Sequence, residues 1–338
     1  MASSAGVRTV CDYPELGGGR RKEAQARIDS DYQAWALKDF SGSSAADELY
    51  DGPYCVLSIV DNRTYKRITY HVLDHDPTHE DIHQFFSAFQ ALLAKRGLDL
   101  RGVTTNGSAL YPTPLAEVFP GVPHQICEFH ILKELTKAVL KSVAKLRREL
   151  ADSKPKLAPG RPATAEARRQ VRKKQRIEQR VSELFKQRFL FVKHHLSAAE
   201  AKHLQRISRG LPQLRKLREI MTEVYRLFDR RCRTDTAVAK LKKLRDRVRR
   251  FPKLVKTLTK LFSANLEKAL TFLDDRLLPA TSNAVERGYR RHRKMQKSVY
   301  RVRSFANLVA RIALDMLREA QAAGRQLVLN ALHHARAG

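Results

Sequence analysis

The stretch Tyr54-Cys-Val-Leu-Ser-Ile-Val60, followed directly by Asp61, decides the fold class of this chain. It is rich in apolar and β-branched residues, and Arg67-Ile-Thr-Tyr-His-Val-Leu73 has the same character. The turn-forming residues Asp61-Asn-Arg-Thr-Tyr-Lys66 separate the two runs at a spacing typical of a β-hairpin. We therefore predict two antiparallel strands joined by a short turn.

The residues after this hairpin alternate between helix and strand patterns. Thr78 is a suitable N-cap, and apolar residues at helical spacing follow it as far as Gly97, where the helix should end. Further elements are expected in order: a strand near 100–104, a helix near 113–118 and a strand near 124–127. This order predicts an α/β core built on a mixed sheet.

The flanks of this core differ from it in composition. Residues 1–51 are polar and mixed, which predicts a linker or the remnant of an N-terminal segment. From 131 to 278 the strand signal is lost and Lys- and Arg-rich helical patterns dominate, which predicts a basic helical insertion domain. We expect 52–130 and 279–325 to form the two parts of the core, and 326–338 to be a tail.

The charge balance predicts a polyanionic partner. The chain has 65 Lys and Arg residues against 35 Asp and Glu residues, a net charge of +30, and 43% hydrophobic residues, enough for a folded core. Nucleic acid is the first expectation, and its binding should weaken steeply with salt.

The chain has no run of about 18 apolar residues, so we expect no membrane span. The start lacks the apolar stretch of a signal peptide, so we expect a cytoplasmic protein.

Three polar positions lie where chemistry is expected. Asp61 ends the first predicted strand, Asn106 ends the strand Val103-Thr-Thr-Asn106, and Glu286 follows Thr281-Ser-Asn-Ala-Val in a predicted helix. Together with Cys127-Glu-Phe-His130, these segments resemble a bacterial insertion-sequence transposase of the DDE class, of the Mutator-like type with a CxxH segment. The long interval between Asn106 and Glu286 resembles family members that carry a helical insertion before the glutamate.

The resemblance implies a fold, an activity and a cofactor. The fold is α/β, a ribonuclease H-like mixed sheet interrupted by a long all-helical insertion. The activity is DNA end cleavage and strand transfer with two divalent ions, Mg²⁺ or Mn²⁺, held by Asp61 and Glu286. The implied partners are double-stranded DNA, as transposon ends and target, and further copies of the chain in a homodimer or larger assembly. It also implies association with the bacterial nucleoid through DNA, and an N-terminal recognition domain that this chain lacks or receives from elsewhere.

Asn106 departs from the family pattern, because an aspartate is expected there. A neutral amide removes one formal charge from the metal site, so we expect a catalytic triad of Asp61, Asn106 and Glu286 that is weak or inactive. Four explanations remain open: natural decay, deliberate substitution, a misassigned position, or repair by deamidation of the Asn-Gly pair. Asp99 is a candidate stand-in, and Asp47 is the second choice for the role of Asp61.

Two alternatives to an active transposase are a non-catalytic, transposase-derived DNA-binding protein and an RNA-binding module, although no RNA-binding motif supports the latter.

Cys127 and His130 are candidate zinc or structural residues, and a buried thiol with a packed or DNA-facing histidine is favoured over zinc. The cations that follow the glutamate are expected to contact DNA phosphates: Arg287, Arg290, Arg291, Arg293, Lys294 and Lys297.

Overall fold

The computed structural model describes residues 28–297 and 304–321. The chain divides into two compact units. One is formed by residues up to 124 together with those from 282 onward, and the other by residues 125–281. Within the described ranges, no helix is both long and apolar enough to cross a membrane.

A five-stranded mixed sheet forms the centre of the first unit. Its strands are β1 (Ser43–Asp51), β2 (Tyr54–Asp61), β3 (Arg67–Leu73), β4 (Gly102–Thr105) and β5 (His124–Ile126). The order across the sheet is β3-β2-β1-β4-β5; β1 runs antiparallel to β2 and parallel to β4, and β2 runs antiparallel to β3. This confirms the predicted α/β class with a ribonuclease H-like core. The hairpin of β2 and β3 lies where it was predicted.

The strand β1 corrects the sequence-based prediction of a linker over residues 1–51. Ser43–Asp51 is the central strand of the sheet, and most of its residues are buried. A single π-helical turn (Ile28–Tyr32) and the short helix α1 (Gln33–Leu37) precede it. Residues 1–27 and the predicted tail at 326–338 lie outside the described residues.

Helices cover both faces of this sheet. On one face lie α2 (His79–Ala94) and α3 (Pro112–Val118), and Phe86 and Leu115 from these helices share an apolar cluster with Leu57 of β2. The predicted cap of α2 is present, since Thr78 and Asp81 form a reciprocal capping box.

On the opposite face lie the two helices that follow the insertion, α11 (Asn283–Gln296) and α12 (Phe305–Gln321). Val285 and Tyr289 of α11 share a second apolar cluster with Val56 of β2 and Ala45 of β1. The helix that carries Glu286 is therefore held against the two strands at the middle of the sheet.

The second unit is entirely helical apart from the end of β5. Its α-helices are α4 (Glu128–Asp152), α5 (Ala165–Lys186), α6 (Ala198–Ile207), α7 (Pro212–Leu227), α8 (Thr234–Arg249), α9 (Pro252–Thr257) and α10 (Ala264–Lys268). The unit is a few residues wider at each end than the predicted insertion 131–278. Its two ends meet, because the backbone N–H of Glu128 donates to the carbonyl of Ala280 at 2.8 Å.

Candidate active site

The side chains of Asp47 and Asn106 meet at the end of β4. The parallel register places Ala46 beside Thr105, so the next residue on each strand is also a neighbour. The amide nitrogen Nδ2 of Asn106 donates a hydrogen bond to Oδ1 of Asp47 at 2.7 Å, and Oδ1 of Asn106 accepts from the backbone N–H of Ser108 at 2.8 Å. The orientation of the amide follows from these partners, because the backbone N–H needs an acceptor and the carboxylate needs a donor.

Asp47 lies on the face of the sheet that α11 covers. Side chains alternate along a strand, so Asp47 shares a face with Ala45 and Leu49, which belong to the apolar cluster of α11 and α12. Asp47 is only 4% exposed. The phenol of Tyr289 donates to the backbone carbonyl of Asp47 at 2.5 Å and reaches that of Val56 at 3.2 Å. The glutamate helix is thus fastened to β1 at the residue whose side chain contacts Asn106.

Glu286 lies one helical turn before Tyr289 on α11. Its side chain is 29% exposed, and one carboxylate oxygen lies 3.7 Å from a guanidinium nitrogen of Arg293. The backbone N–H of Glu286 donates to the carbonyl of Ser282, which begins this helix. Glu286 is therefore on the helix that covers Asp47, with part of its carboxylate accessible to solvent.

Asp61 occupies a different environment from the one predicted for it. It pairs with Ser44 across the strands, so its side chain lies on the opposite face of the sheet from that of Asp47. Its Oδ1 accepts from the backbone N–H groups of Arg63 and Thr64 at 2.9 and 2.6 Å, and its Oδ2 accepts from the backbone and hydroxyl of Ser41 at 2.8 and 2.7 Å. The structure does not bring the side chains of Asp61 and Asn106 together: Asp61 contacts the hairpin turn and Asn106 contacts Asp47.

Asp99, the candidate stand-in carboxylate, is also away from Asn106 along the chain path. It is exposed and precedes β4, whereas Asn106 follows that strand. Six residues lie between them, and the four that form β4 span roughly 13 Å at the usual strand rise. Of the three candidate carboxylates Asp47, Asp61 and Asp99, Asp47 is the one whose hydrogen bond to Asn106 the structure shows.

The donor set around Asn106 does not fit a pair of divalent ions. Such ions need hard oxygen ligands, usually carboxylates, directed at one point. Here the amide oxygen of Asn106 is engaged by Ser108, and its N–H group, a donor, faces the carboxylate that a cation would bind. Within the described residues, no three His, Cys, Asp or Glu side chains are grouped in a way that could hold a metal ion.

Cys127 and His130 lie at the start of α4. Cys127 is buried and directly precedes the helix, and His130 is in its first turn. No third histidine, cysteine or carboxylate joins them as a metal-binding group in the part of the chain that the structure describes.

The cations that follow Glu286 have different surroundings. Arg291 forms ion pairs with Asp315 and Glu319 of α12, both at 2.9 Å, so this guanidinium joins two helices. Arg287 lies over the ring of Tyr65 at 4.5 Å. The remaining members of the predicted set are exposed on α11 and just after it: Arg290, Arg293, Lys294 and Lys297.

His292 is a polar residue of this region that the sequence analysis did not single out. It is 3% exposed, and its Nε2 lies 3.0 Å from a carboxylate oxygen of Asp51, which Gln296 also contacts. Burial lowers the pKa of His292, although the hydrogen bond to Asp51 favours the charged form. The contact with Asp51 fastens α11 to the end of β1.

One comparison with known proteins gives a family. The family model of the ISL3 group of DDE transposases, described as a transposase, matches residues 55–312, which is more than half of the chain. No curated protein matches it. The matched family is not Mutator-like, so the Mutator-like subtype expected from the CxxH segment has no support. Members of DDE families generally use divalent metal ions, and membership implies DNA as a partner. The chain belongs to the ISL3 family of DDE transposases.

Proposed function

We propose that this chain is a DNA transposase with an impaired catalytic site, formed by Asp47, Asn106 and Glu286. The observation that carries the proposal is the 2.7 Å hydrogen bond from the amide of Asn106 to the carboxylate of Asp47. The family's chemistry calls for a third carboxylate, and an amide whose N–H group faces Asp47 cannot serve as one.

Asp47 replaces Asp61 in this proposal for a physical reason. A metal ligand must have at least one carboxylate oxygen free to face the ion. Each oxygen of Asp61 accepts two hydrogen bonds: Oδ1 from two backbone N–H groups of the hairpin turn, and Oδ2 from the backbone and hydroxyl of Ser41. Asp47 lies on the face covered by the glutamate helix, so Asp47 and Glu286 are the pair we assign to metal binding.

In an active relative, the bound Mg²⁺ or Mn²⁺ pair would activate the attacking oxygen and stabilise the leaving oxygen of a phosphodiester. Asp47 and Glu286 provide two carboxylates on adjoining elements, and Tyr289 holds the backbone of Asp47 in place. Asn106 neutralises part of the charge of Asp47 by donating to it.

Contacts to DNA phosphates are assigned to exposed cations of α11 near Glu286. Arg290, Lys294 and Lys297 are exposed there, and Arg287 is held on the ring of Tyr65 with its charge available. Arg291 is a weaker candidate than predicted, because its guanidinium is already engaged by two carboxylates.

The test is Mn²⁺ titration calorimetry on the chain as it is and on Asn106→Asp, each with and without Asp47→Ala. We expect Asn106→Asp to gain a binding heat that Asp47→Ala abolishes. The matched control is Asp61→Ala in the same Asn106→Asp background, which should keep the binding heat if the protein stays folded by circular dichroism.

Two outcomes would contradict this assignment. If the unaltered chain and Asn106→Asp bind Mn²⁺ alike, then Asn106 is not the missing ligand. If Asp61→Ala abolishes binding in a folded protein while Asp47→Ala does not, then Asp61 is the ligand as the sequence suggested.

A non-catalytic DNA-binding protein derived from a transposase is the second candidate, and the same hydrogen bond supports it. The pair of Asp47 and Asn106 is satisfied without any cation, so the site can remain assembled in a protein that only binds DNA. Full-strength binding of duplex DNA in EDTA would support this candidate. Detected strand transfer by the unaltered chain would exclude it.

A further inference from the structure

The helices α4 and α5 form a two-helix arm at residues 144–183. The helices run antiparallel, since the guanidinium of Arg147 lies over the ring of Phe185 at 4.8 Å and Lys154 is 3.8 Å from Glu178. The last buried residue of α4 is Val143, and the only buried one of α5 is Leu184. No side chain between them along the chain is buried. Leu146 and Leu150 are partly buried against the core of the helical unit, but that core does not account for the cations of the arm.

The arm is strongly basic over its whole length. Residues 144–183 contain 13 Lys and Arg residues against 5 Asp and Glu residues. A segment with so little buried surface gains little from packing, and its like charges repel each other in the free protein. Such a composition is stabilised by an external polyanion.

Four of these cations form a stripe along α5: Arg169, Arg172, Lys173 and Arg176. Their spacing places them on one side of the helix, where they line an open groove of about 410 Å³ beside Leu150 of α4. Among the residues described, the structure pairs none of the four with a carboxylate. The carboxylates of α5 have partners of their own, Gln170 for Glu166, Lys154 for Glu178 and Arg206 for Glu183.

The next cation on this side of α5, Arg180, lies just beyond the stripe and has a structural role. Its guanidinium donates two hydrogen bonds to the carbonyl of Ile207, both at 3.3 Å, which fastens α5 to the end of α6. The helix α5 is therefore anchored just beyond the stripe, and the four charges of the stripe remain available to bind a partner.

The dimensions of the stripe match those of a nucleic-acid backbone. From 169 to 176 the helix rises about 10 Å, at 1.5 Å per residue, and presents the four cations of the stripe over that length. One strand of duplex DNA carries a phosphate about every 3.4 Å along its axis. The two charge spacings are therefore similar.

We propose that the arm is a second DNA-binding surface, on which the stripe Arg169, Arg172, Lys173 and Arg176 contacts the phosphate backbone of duplex DNA. The proposal rests on the DNA-binding function proposed above and adds a surface remote in sequence from α11. Contacts of this kind give affinity and salt dependence without reading the base sequence.

The test compares two variants of the full chain that lose the same charge. The stripe variant carries Arg169→Gln, Arg172→Gln, Lys173→Gln and Arg176→Gln. The control variant carries four changes at exposed positions of the same unit for which the structure shows no ion pair: Lys202→Gln, Arg209→Gln, Arg215→Gln and Arg226→Gln. Circular dichroism verifies that both keep their helices, and fluorescence anisotropy with a 30-base-pair duplex measures affinity from about 50 to 300 mM salt.

We expect the plot of log affinity against log salt to lose about three to four units of slope in the stripe variant and little in the control, because each phosphate contact contributes about 0.9. Equal losses in the two variants, or an unchanged slope in the stripe variant, would overturn the proposal while leaving DNA binding intact. An unaltered chain that fails to bind the duplex would refute both proposals together. Tighter binding of single-stranded RNA than of the duplex would overturn the assigned partner.

Discussion

Asn106 provides Asp47 with a partner of the kind that a cation provides in a cluster of carboxylates. Its N–H group carries partial positive charge and lies at hydrogen-bond distance from a carboxylate that is almost fully buried. The same oxygen, Oδ1 of Asp47, also accepts a hydrogen bond from the backbone N–H of Glu48 at 2.9 Å, and each hydrogen bond to a charged group contributes about 1.5–3 kcal/mol to stability. In the site proposed above, a nitrogen where the family pattern has an oxygen thus gives Asp47 a partner that requires no cation.

We therefore predict that Asn106→Asp destabilises the metal-free protein. Two carboxylates would then face each other at the position of the present hydrogen bond, and like charges repel. We expect the free energy of unfolding in EDTA at pH 8 to fall by about 1–3 kcal/mol, as measured by urea denaturation. The loss should shrink at pH 5 and in the presence of Mn²⁺.

The control for this prediction exchanges the two groups. The double variant Asp47→Asn, Asn106→Asp again has one carboxylate and one amide, so it should recover most of the lost stability in EDTA. A double variant as unstable as Asn106→Asp would show that repulsion between the two carboxylates is not the cause.

We predict that His292 makes the free energy of unfolding depend on pH, with a definite sign. Its pKa is lower in the folded chain than in the unfolded chain, so the folded protein binds fewer protons. The stabilisation is complete well above the ordinary histidine pKa of about 6.5, and it is lost as the pH falls below that value. Urea denaturation between pH 5 and 8 should show this decline, and His292→Gln should reduce it.

His75 serves as the control for His292 because its shift has the opposite sign. Its side chain is exposed, and hydrogen bonds to Asp74 and Asp81 raise its pKa. Its contribution is present at low pH and is lost as the pH rises, so His75→Gln should leave the decline towards acid pH in place. Equal behaviour of the two variants would contradict the assignment to His292.

At the scale of elements, one carboxylate organises the hairpin that identified the fold. Asp61 accepts four hydrogen bonds, three of them from backbone N–H groups that would otherwise be left without partners. A residue that ends a strand and caps the following turn has the same sequence pattern as a metal ligand at the end of a strand. The pattern alone therefore could not distinguish the two roles.

We predict that Asp61→Ala lowers the free energy of unfolding by about 2–4 kcal/mol, since it removes a fully buried carboxylate that accepts four hydrogen bonds from partly buried donors. The matched control is Asp99→Ala, an exposed carboxylate before β4, which should change stability by less than about 0.5 kcal/mol. Thermal denaturation measures both. A small effect of Asp61→Ala would mean that the turn is held by other contacts.

The strand β1 shows why an element can be missed. Its sequence, Ser43-Ser-Ala-Ala-Asp-Glu-Leu-Tyr-Asp51, has no β-branched residue and two adjacent acids, so it resembles a loop. The useful signal was Gly52-Pro53, because a glycine at the first position of a two-residue loop before a strong strand is typical of a hairpin turn and implies a partner strand in front of it. In the structure Gly52 has φ +66°, and Asp51 pairs with Tyr54 across this loop. The same omission favoured Asp61 over Asp47 as the predicted aspartate.

At the scale of the whole molecule, the helical insertion has its own core. Its buried residues form one continuous cluster that includes Ile131, Leu217 and Leu266. At its ends, the backbone N–H of Glu128 bonds to Ala280, and the side chain of Gln125 contacts the backbone of Ala269 and Phe272. A segment with joined ends and a separate core has the properties of an independent domain.

We therefore predict that residues 125–281 fold when produced alone. Circular dichroism should give a helical spectrum, and heating should give one cooperative transition. The control is a shorter fragment, 125–227, which lacks the buried residues of α8 and of the segments after it. An unfolded 125–281 fragment would show that this core needs the rest of the chain.

The sequence by itself determined the fold class, the hairpin of β2 and β3, the helical insertion and membership in the DDE transposases, although not the ISL3 family among them, because these depend on local periodicity, turn residues and the order of motifs. Only the tertiary structure decided which carboxylate accompanies Asn106. That choice depends on the register of β1 between β2 and β4 and on which face each side chain occupies. A strand made mostly of small and acidic residues owes its place in the sheet to its neighbours, and no local pattern records those contacts.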